Sequence, residues 1–156
     1  MADYKLTVAG LGPGDAGFIT RETWARIEAA EHILLRTRIH PTVEALDAAE
    51  ISYETYDAFY EEADDFDLLY ERIVDDLLTR VRESDVLYLV PGSPFVAERT
   101  VQLLRERAIE EGIPLEILPA MSFLEIIFAA VGLDPVHGLS IVDAMDEEAV
   151  AAPPAQ

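Results

Sequence analysis

The chain has 156 residues, 51 % of them apolar, which is enough for a domain with a real core and rules against a disordered chain. Eleven basic residues against 31 acidic ones give a formal net charge of −20. A surface that negative repels phosphate backbones and argues against DNA or RNA as a direct ligand. Cysteine is absent, which excludes disulfides and thiolate metal sites, and no run reaches the roughly eighteen apolar residues of a membrane span.

Apolar runs of strand length alternate with helical patterns along the chain. Leu6-Thr7-Val8-Ala9 is strand-like and breaks at Gly10. Thr20 is a suitable N-cap for a helix whose face carries Trp24, Ile27 and Ala30, and His32-Ile33-Leu34-Leu35 reads as a second strand. Pro41 suits the first turn of a helix bearing Val43, Leu46 and Ala49, followed by a brief third strand, Ile51-Ser52-Tyr53. Leu69, Ile73, Leu77 and Val81 recur every four residues and predict a long helix over residues 66–81. Residues 85–90 are the most strand-like segment, stopped by Pro91-Gly92-Ser93-Pro94. A helix over residues 96–111 ends at Gly112, residues 114–118 form the fifth strand, and Ser122 caps a helix that ends at Gly132. Residues 138–142 read as one more strand.

Such alternation predicts an α/β fold, a three-layer α/β/α sandwich around a parallel sheet of about five strands. Residues 1–136 are expected to be the main domain. Residues 137–145 are expected to open a truncated second domain or a linker, and residues 146–156 to be a disordered acidic and Ala/Pro tail. The missing cysteines and the absence of a secretory pattern at the first residues suit a cytoplasmic protein.

Open parallel sheets bind ligands beyond the carboxyl ends of their strands. Three unusual segments fall at such ends: Gly10-Leu11-Gly12-Pro13-Gly14-Asp15, then residues 91–94, and Pro119-Ala120-Met121-Ser122. Residues 12–17 also satisfy the dinucleotide spacing GxGxxG. The physics opposes that reading. Pro13 stiffens the turn, Asp15 sets a carboxylate where a pyrophosphate would lie, and the next helix starts only near Thr20.

At these three loops the sequence resembles the tetrapyrrole (corrin/porphyrin) methylases. The match starts at Val8-Ala9-Gly10-Leu11-Gly12-Pro13-Gly14-Asp15 and continues through Ile19-Thr20, Ile27, Ala30-Glu31 and Ile33. Val96-Ala97-Glu98-Arg99-Thr100-Val101, Tyr56-Asp57-Ala58-Phe59-Tyr60-Glu61 and Leu139-Ser140-Ile141-Val142-Asp143-Ala144 resemble the methylase-like N-terminal domain of MazG-type proteins in particular. The resemblance implies S-adenosylmethionine as cofactor and a small-molecule acceptor. It implies cofactor contacts from Gly10, Pro91, Gly92, Ser93, Pro94, Met121 and Ser122, and acceptor contacts from Gly12, Pro13 and Gly14. Asp15 would act as the catalytic carboxylate that positions the acceptor or takes its proton. It also implies a homodimer, a C-terminal methylase subdomain and a MazG nucleoside triphosphate pyrophosphohydrolase domain in the full-length chain. Two positions depart from many active relatives: Ser93 replaces an Asp and Ala120 replaces a Gly. They leave open a catalytically silent binding or regulatory module attached to the pyrophosphohydrolase.

Plainer roles stand beside these. Asp15 can cap a turn, Ser122 a helix, and Met121 can simply pack. His32, His40 and His137 lack metal-ligand or catalytic spacing and read as structural or surface residues. Glu61, Glu62, Asp64, Asp65 and Asp67 form an acidic run without the companion spacing a magnesium site needs, and read as a solvated loop. No metal site is expected. Trp24, Phe59, Tyr60, Phe66 and Tyr70 are expected to pack between helices and sheet.

Overall fold

The computed structural model describes residues 4–143 and Ala151, and the chain divides after Phe123 into two compact units. The first unit holds a parallel five-stranded sheet: β1 (Leu6–Gly10), β2 (Ile33–Leu35), β3 (Glu54–Thr55), β4 (Val86–Val90) and β5 (Leu115–Ile117). Their spatial order is β3-β2-β4-β1-β5. Five helices of the same unit are α1 (Arg21–Ala29), α2 (Val43–Ala48), α3 (Asp57–Glu62), α4 (Phe66–Arg80) and α5 (Arg99–Glu111). The predicted α/β class and the parallel sheet are therefore present.

Strand alternation builds two cores from one sheet. Leu6, Val8, Leu34, Val86, Tyr88 and Val90 point to one side, where Leu69, Ile73, Leu77 of α4 and Val101, Leu104 of α5 cover them. Ala9, Ile33, Leu35, Leu87 and Leu89 point to the other, against Ile27 of α1 and Val43, Leu46 of α2. The chain moves from β1 to β2 toward one edge and from β4 to β5 toward the other. Right-handed crossovers put those two connections on opposite faces, so the chain diverges between β1 and β4 and leaves a crevice at their carboxyl ends.

Several expectations are corrected. The third strand is Glu54–Thr55, not residues 51–53. Ile51 instead donates its N–H to Leu46 O just after Glu50 turns through a left-handed φ of 55°, so residues 51–53 are the exit from α2. Residues 57–62 are helical, and the acidic run has local partners: Asp65 caps α4 by accepting from Leu68 N, and Glu62 pairs with Arg72. The helix expected from Val96 starts at Arg99, because Ala97 sits at φ 54°. Phe66 is 66 % exposed at the first turn of α4, stacked on Tyr70 rather than packed in the core.

In the second unit α6 (Phe123–Val131) leads to a 3-10 turn at Pro135–His137, capped by Asp134. No described residue of α6 is buried. Residues 138–143 carry no regular structure, so the strand expected over 138–142 does not form: a strand needs a ladder partner, and none pairs with it among the described residues. The tail expected over 146–156 lies outside the described residues except for Ala151. Among the described residues no helix is long and apolar enough to cross a membrane.

Candidate functional site

The first two loops are stitched together where the sheet ends. Leu11 donates its N–H to Val90 O at 2.8 Å, Gly12 N to Gly92 O at 3.1 Å, and Gly92 N to Gly12 O at 2.8 Å. This reciprocal pair is an antiparallel bridge that extends the β1–β4 edge past its last parallel hydrogen bond. The sequence allows it because Gly12 and Gly92 take φ of 75° and 63°, a region that costs other L residues dearly.

The third loop arrives at the same point. A Cβ on Gly10 would lie 2.1 Å from Gly92 O, 2.6 Å from Ala120 Cβ and 3.0 Å from Pro94 Cδ. Those atoms belong to the second and third loops, so all three loops converge on a backbone position that only glycine fits. Ala120, the departure noted in the sequence, fills part of the junction with its methyl group.

The predicted residues divide by exposure. Ser93, Pro94 and Ser122 are buried, Pro91, Gly92, Pro13, Gly14 and Met121 are half-buried, and Asp15 is exposed. Asp15 accepts from Gly17 N at 2.7 Å and caps the 3-10 turn Ala16–Phe18. Ser93 Oγ accepts from Phe95 N at 3.3 Å. Gly14 has no steric need to be glycine, since a Cβ there would meet nothing within 4 Å. Gly92 is just as open on its Cβ side, which leaves room beside its Cα, while its N–H and C=O are both taken by Gly12.

Two braces come from the segment after β2 and were not singled out in the sequence. The first is Thr42, wholly buried, whose single hydroxyl proton is shared between Gly14 O at 2.6 Å and Leu11 O at 3.1 Å. His40 sits beside it, taking the Thr42 N–H on Nδ1 at 3.3 Å. Burial holds the His40 imidazole below its ordinary range, against the pull of the Gly12 backbone toward the charged form. The second brace is an ion pair, Arg36 Nη1 to Glu98 Oε2 at 2.6 Å, with Glu98 only 3 % exposed. Burial opposes the charge on Arg36, but Glu98 and the Tyr60 hydroxyl more than offset it and raise its pKa. In the sequence Thr42 reads as an ordinary residue just before a helix. No sequence signal paired Arg36 with Glu98.

A cavity of about 620 Å³ lies at the other end of the sheet and is lined by Lys5, Arg26, His32 and Asp85 among others. Its two cations are already committed, Lys5 and Arg26 both to Glu116 at 2.6 and 3.0 Å. Ligand chemistry in this sheet class belongs at the opposite rim, so the three-loop junction is the candidate site.

The family described as Tetrapyrrole (Corrin/Porphyrin) Methylases matches residues 5–155. The chain belongs to that family. It is 40 % identical over 140 residues to the uncharacterized protein YabN of Bacillus subtilis, covering 90 % of this chain and 29 % of that protein. A uroporphyrin-III-C-methyltransferase from Thermus thermophilus superposes with a TM-score of 0.65 at 26 % identity, covering 84 % of this chain and 54 % of that one. A uroporphyrin-III C-methyl transferase from the same organism, solved in complex with S-adenyl homocysteine, shares the fold at a TM-score of 0.56 and 17 % identity, covering 83 % and 49 %. This methylase-family chain thus spans about half the length of the solved relatives and under a third of YabN.

Proposed function

We propose that residues 4–123 are the cofactor-side half of an S-adenosylmethionine-dependent methyltransferase. One observation carries the reading: Gly10 is the point where three loops converge, in a sheet whose crevice lies at that rim. The family match and a structural relative solved with the demethylated cofactor support it. The residues suit a cofactor lying close against the second loop, because Gly92 leaves open space beside its Cα and the loop is pinned to the first loop. The bound cofactor would supply an electrophilic methyl on a sulfonium, and no metal is needed for its transfer. The chain's part is to hold donor and acceptor in line and keep water out. Gly10, residues 91–94, Met121 and Ser122 would line the cofactor side, and residues 12–14 the acceptor side. Asp15 is exposed on that rim and would position the acceptor or take its proton with the carboxylate that now caps the turn.

We read the parent protein as a MazG-type chain, with a second methylase subdomain and a pyrophosphohydrolase domain, acting as a homodimer in the cytoplasm. The support is the motif resemblance and the larger size of YabN, of which the match covers 29 %. A second reading is a silent binding module. It is favoured by Ser93, whose hydroxyl is buried and engaged by Phe95 N where a carboxylate would otherwise serve the loop.

Calorimetric titration of the chain and of its full-length parent with S-adenosylmethionine tests the first reading. Saturable binding is expected. Absence of heat at about millimolar cofactor, a concentration far above what a working cofactor site needs to fill, overturns it.

A further inference from the structure

An ion pair between a buried carboxylate and a half-buried guanidinium lies beside the second loop, although the fold could be held there without charges. Arg36 directly follows β2, its N–H donating to Leu89 O at 2.9 Å. Its Nη1 meets Glu98 Oε2 at 2.6 Å and its Nε donates to the Tyr60 hydroxyl at 2.7 Å. The other Glu98 oxygen accepts from Thr100 Oγ1 at 2.7 Å. That fixes the direction of the next bond: Tyr88 donates to Thr100 across 3.2 Å. One chain of hydrogen bonds thus joins the β2 exit, α3, the start of α5 and the central strand β4.

Taking the Glu98 carboxylate out of water costs free energy before the attraction returns any of it, and apolar side chains of equal volume hold a core as well or better. What the pair does provide is geometry. Glu98 occupies the N-cap position of α5, yet its carboxylate makes no capping bond and turns to Arg36 instead. The residue before it, Ala97, is held at φ 54°, a left-handed conformation that is strained for an L side chain. The second loop is therefore clamped at both ends, by the Gly12 bridge at Gly92 and by Arg36 at Glu98, with Ser93 and Pro94 between the clamps.

We propose that Arg36 and Glu98 are positioning residues for the second loop, fixing the shape in which residues 92–94 meet a ligand. The proposal rests on that loop being cofactor-facing, as read above. It deepens that reading by assigning a geometric role to two side chains that need not touch the ligand.

The test compares three chains: wild type, R36M, and R36M/E98L. The readouts are melting temperature, hydrogen exchange of the peptide over residues 91–98, and S-adenosylhomocysteine affinity by calorimetry. R36M alone leaves Glu98 buried without its cation and is expected to melt lower. R36M/E98L removes both charges at similar volume, so the melting temperature is expected to recover in part, short of wild type because the buried Thr100 hydroxyl loses its acceptor. Exchange over 91–98 should nevertheless stay faster than wild type, and S-adenosylhomocysteine should bind about tenfold more weakly because the loop is no longer preorganised. A double variant with wild-type exchange and wild-type affinity overturns the proposal, because the pair would then be only structural. If wild type takes up no S-adenosylhomocysteine, the cofactor reading falls, and loop exchange alone still decides whether the pair positions the loop.

Discussion

Replacing Gly10 with alanine tests the convergence of the three loops most directly. The added methyl would sit 2.1 Å from Gly92 O and 2.6 Å from Ala120 Cβ. Neither neighbour is the free end of a flexible side chain: one is a carbonyl locked in the Gly12 bridge, the other a methyl fixed to backbone. Relief requires separating two loops, so the cost belongs at the upper end of core overpacking, about 3 kcal/mol. For a chain of this length that corresponds to a melting temperature lower by about 10 °C. Two glycines in the same loops serve as controls. At Gly14, where no atom lies within 4 Å of the new methyl and φ is not in the left-handed region, alanine should be neutral or stabilise by about 0.5 kcal/mol. At Gly92, with open space but φ of 63°, it should cost about 1 kcal/mol from backbone strain alone. Urea unfolding of the three variants gives the order directly. An unperturbed midpoint for G10A, or a G14A variant as damaged as G10A, would refute the packing of the three loops against one another.

Thr42→Val removes the donor to two carbonyls of the first loop and should cost about 1–3 kcal/mol, while Thr42→Ser keeps the hydroxyl and most of the stability; denaturant midpoints check both. His40 gives a pH dependence of defined sign. Because burial lowers its folded-state pKa from 6.5, the unfolded chain binds the proton first, so stability is complete above about pH 6.5 and falls as the pH drops toward the folded value. The melting temperature should therefore decline from pH 7 to about pH 5 with a steeper slope in wild type than in H40Q, and equal slopes would contradict the burial argument. Ala97→Gly relieves the left-handed strain and should be neutral to stabilising by up to about 1 kcal/mol. A clear loss of stability in that variant would mean that the methyl, rather than the backbone, matters at residue 97.

The sequence by itself determined the layers and the site's rim. Apolar runs with no polar alternation, such as Val86-Leu87-Tyr88-Leu89-Val90, demand cover on both faces. The four-residue recurrence from Leu69 to Val81 could only be an amphipathic helix, and Gly112 at φ 65° ended α5 as expected of a C-cap. Glycines and prolines at three strand ends marked the loops, because backbone that must bend sharply leaves few alternatives in residue type.

Tertiary structure decided what depends on distant partners. The two-residue β3 exists through its pairing with Leu34 and Leu35, not through local propensity. Residues 138–142 have strand-forming side chains and form no strand, since a ladder has to be supplied by another segment. Arg36 and Glu98 stand 62 positions apart, and nothing in either neighbourhood names the other. Thr42 looked like an ordinary residue before a helix, and only the path of the first loop above it turns its hydroxyl into a brace. Periodicity and turn chemistry are local and can be read along the chain; which buried charge meets which, and which carbonyl finds which hydroxyl, are settled only when the sheet brings its strand ends to one rim.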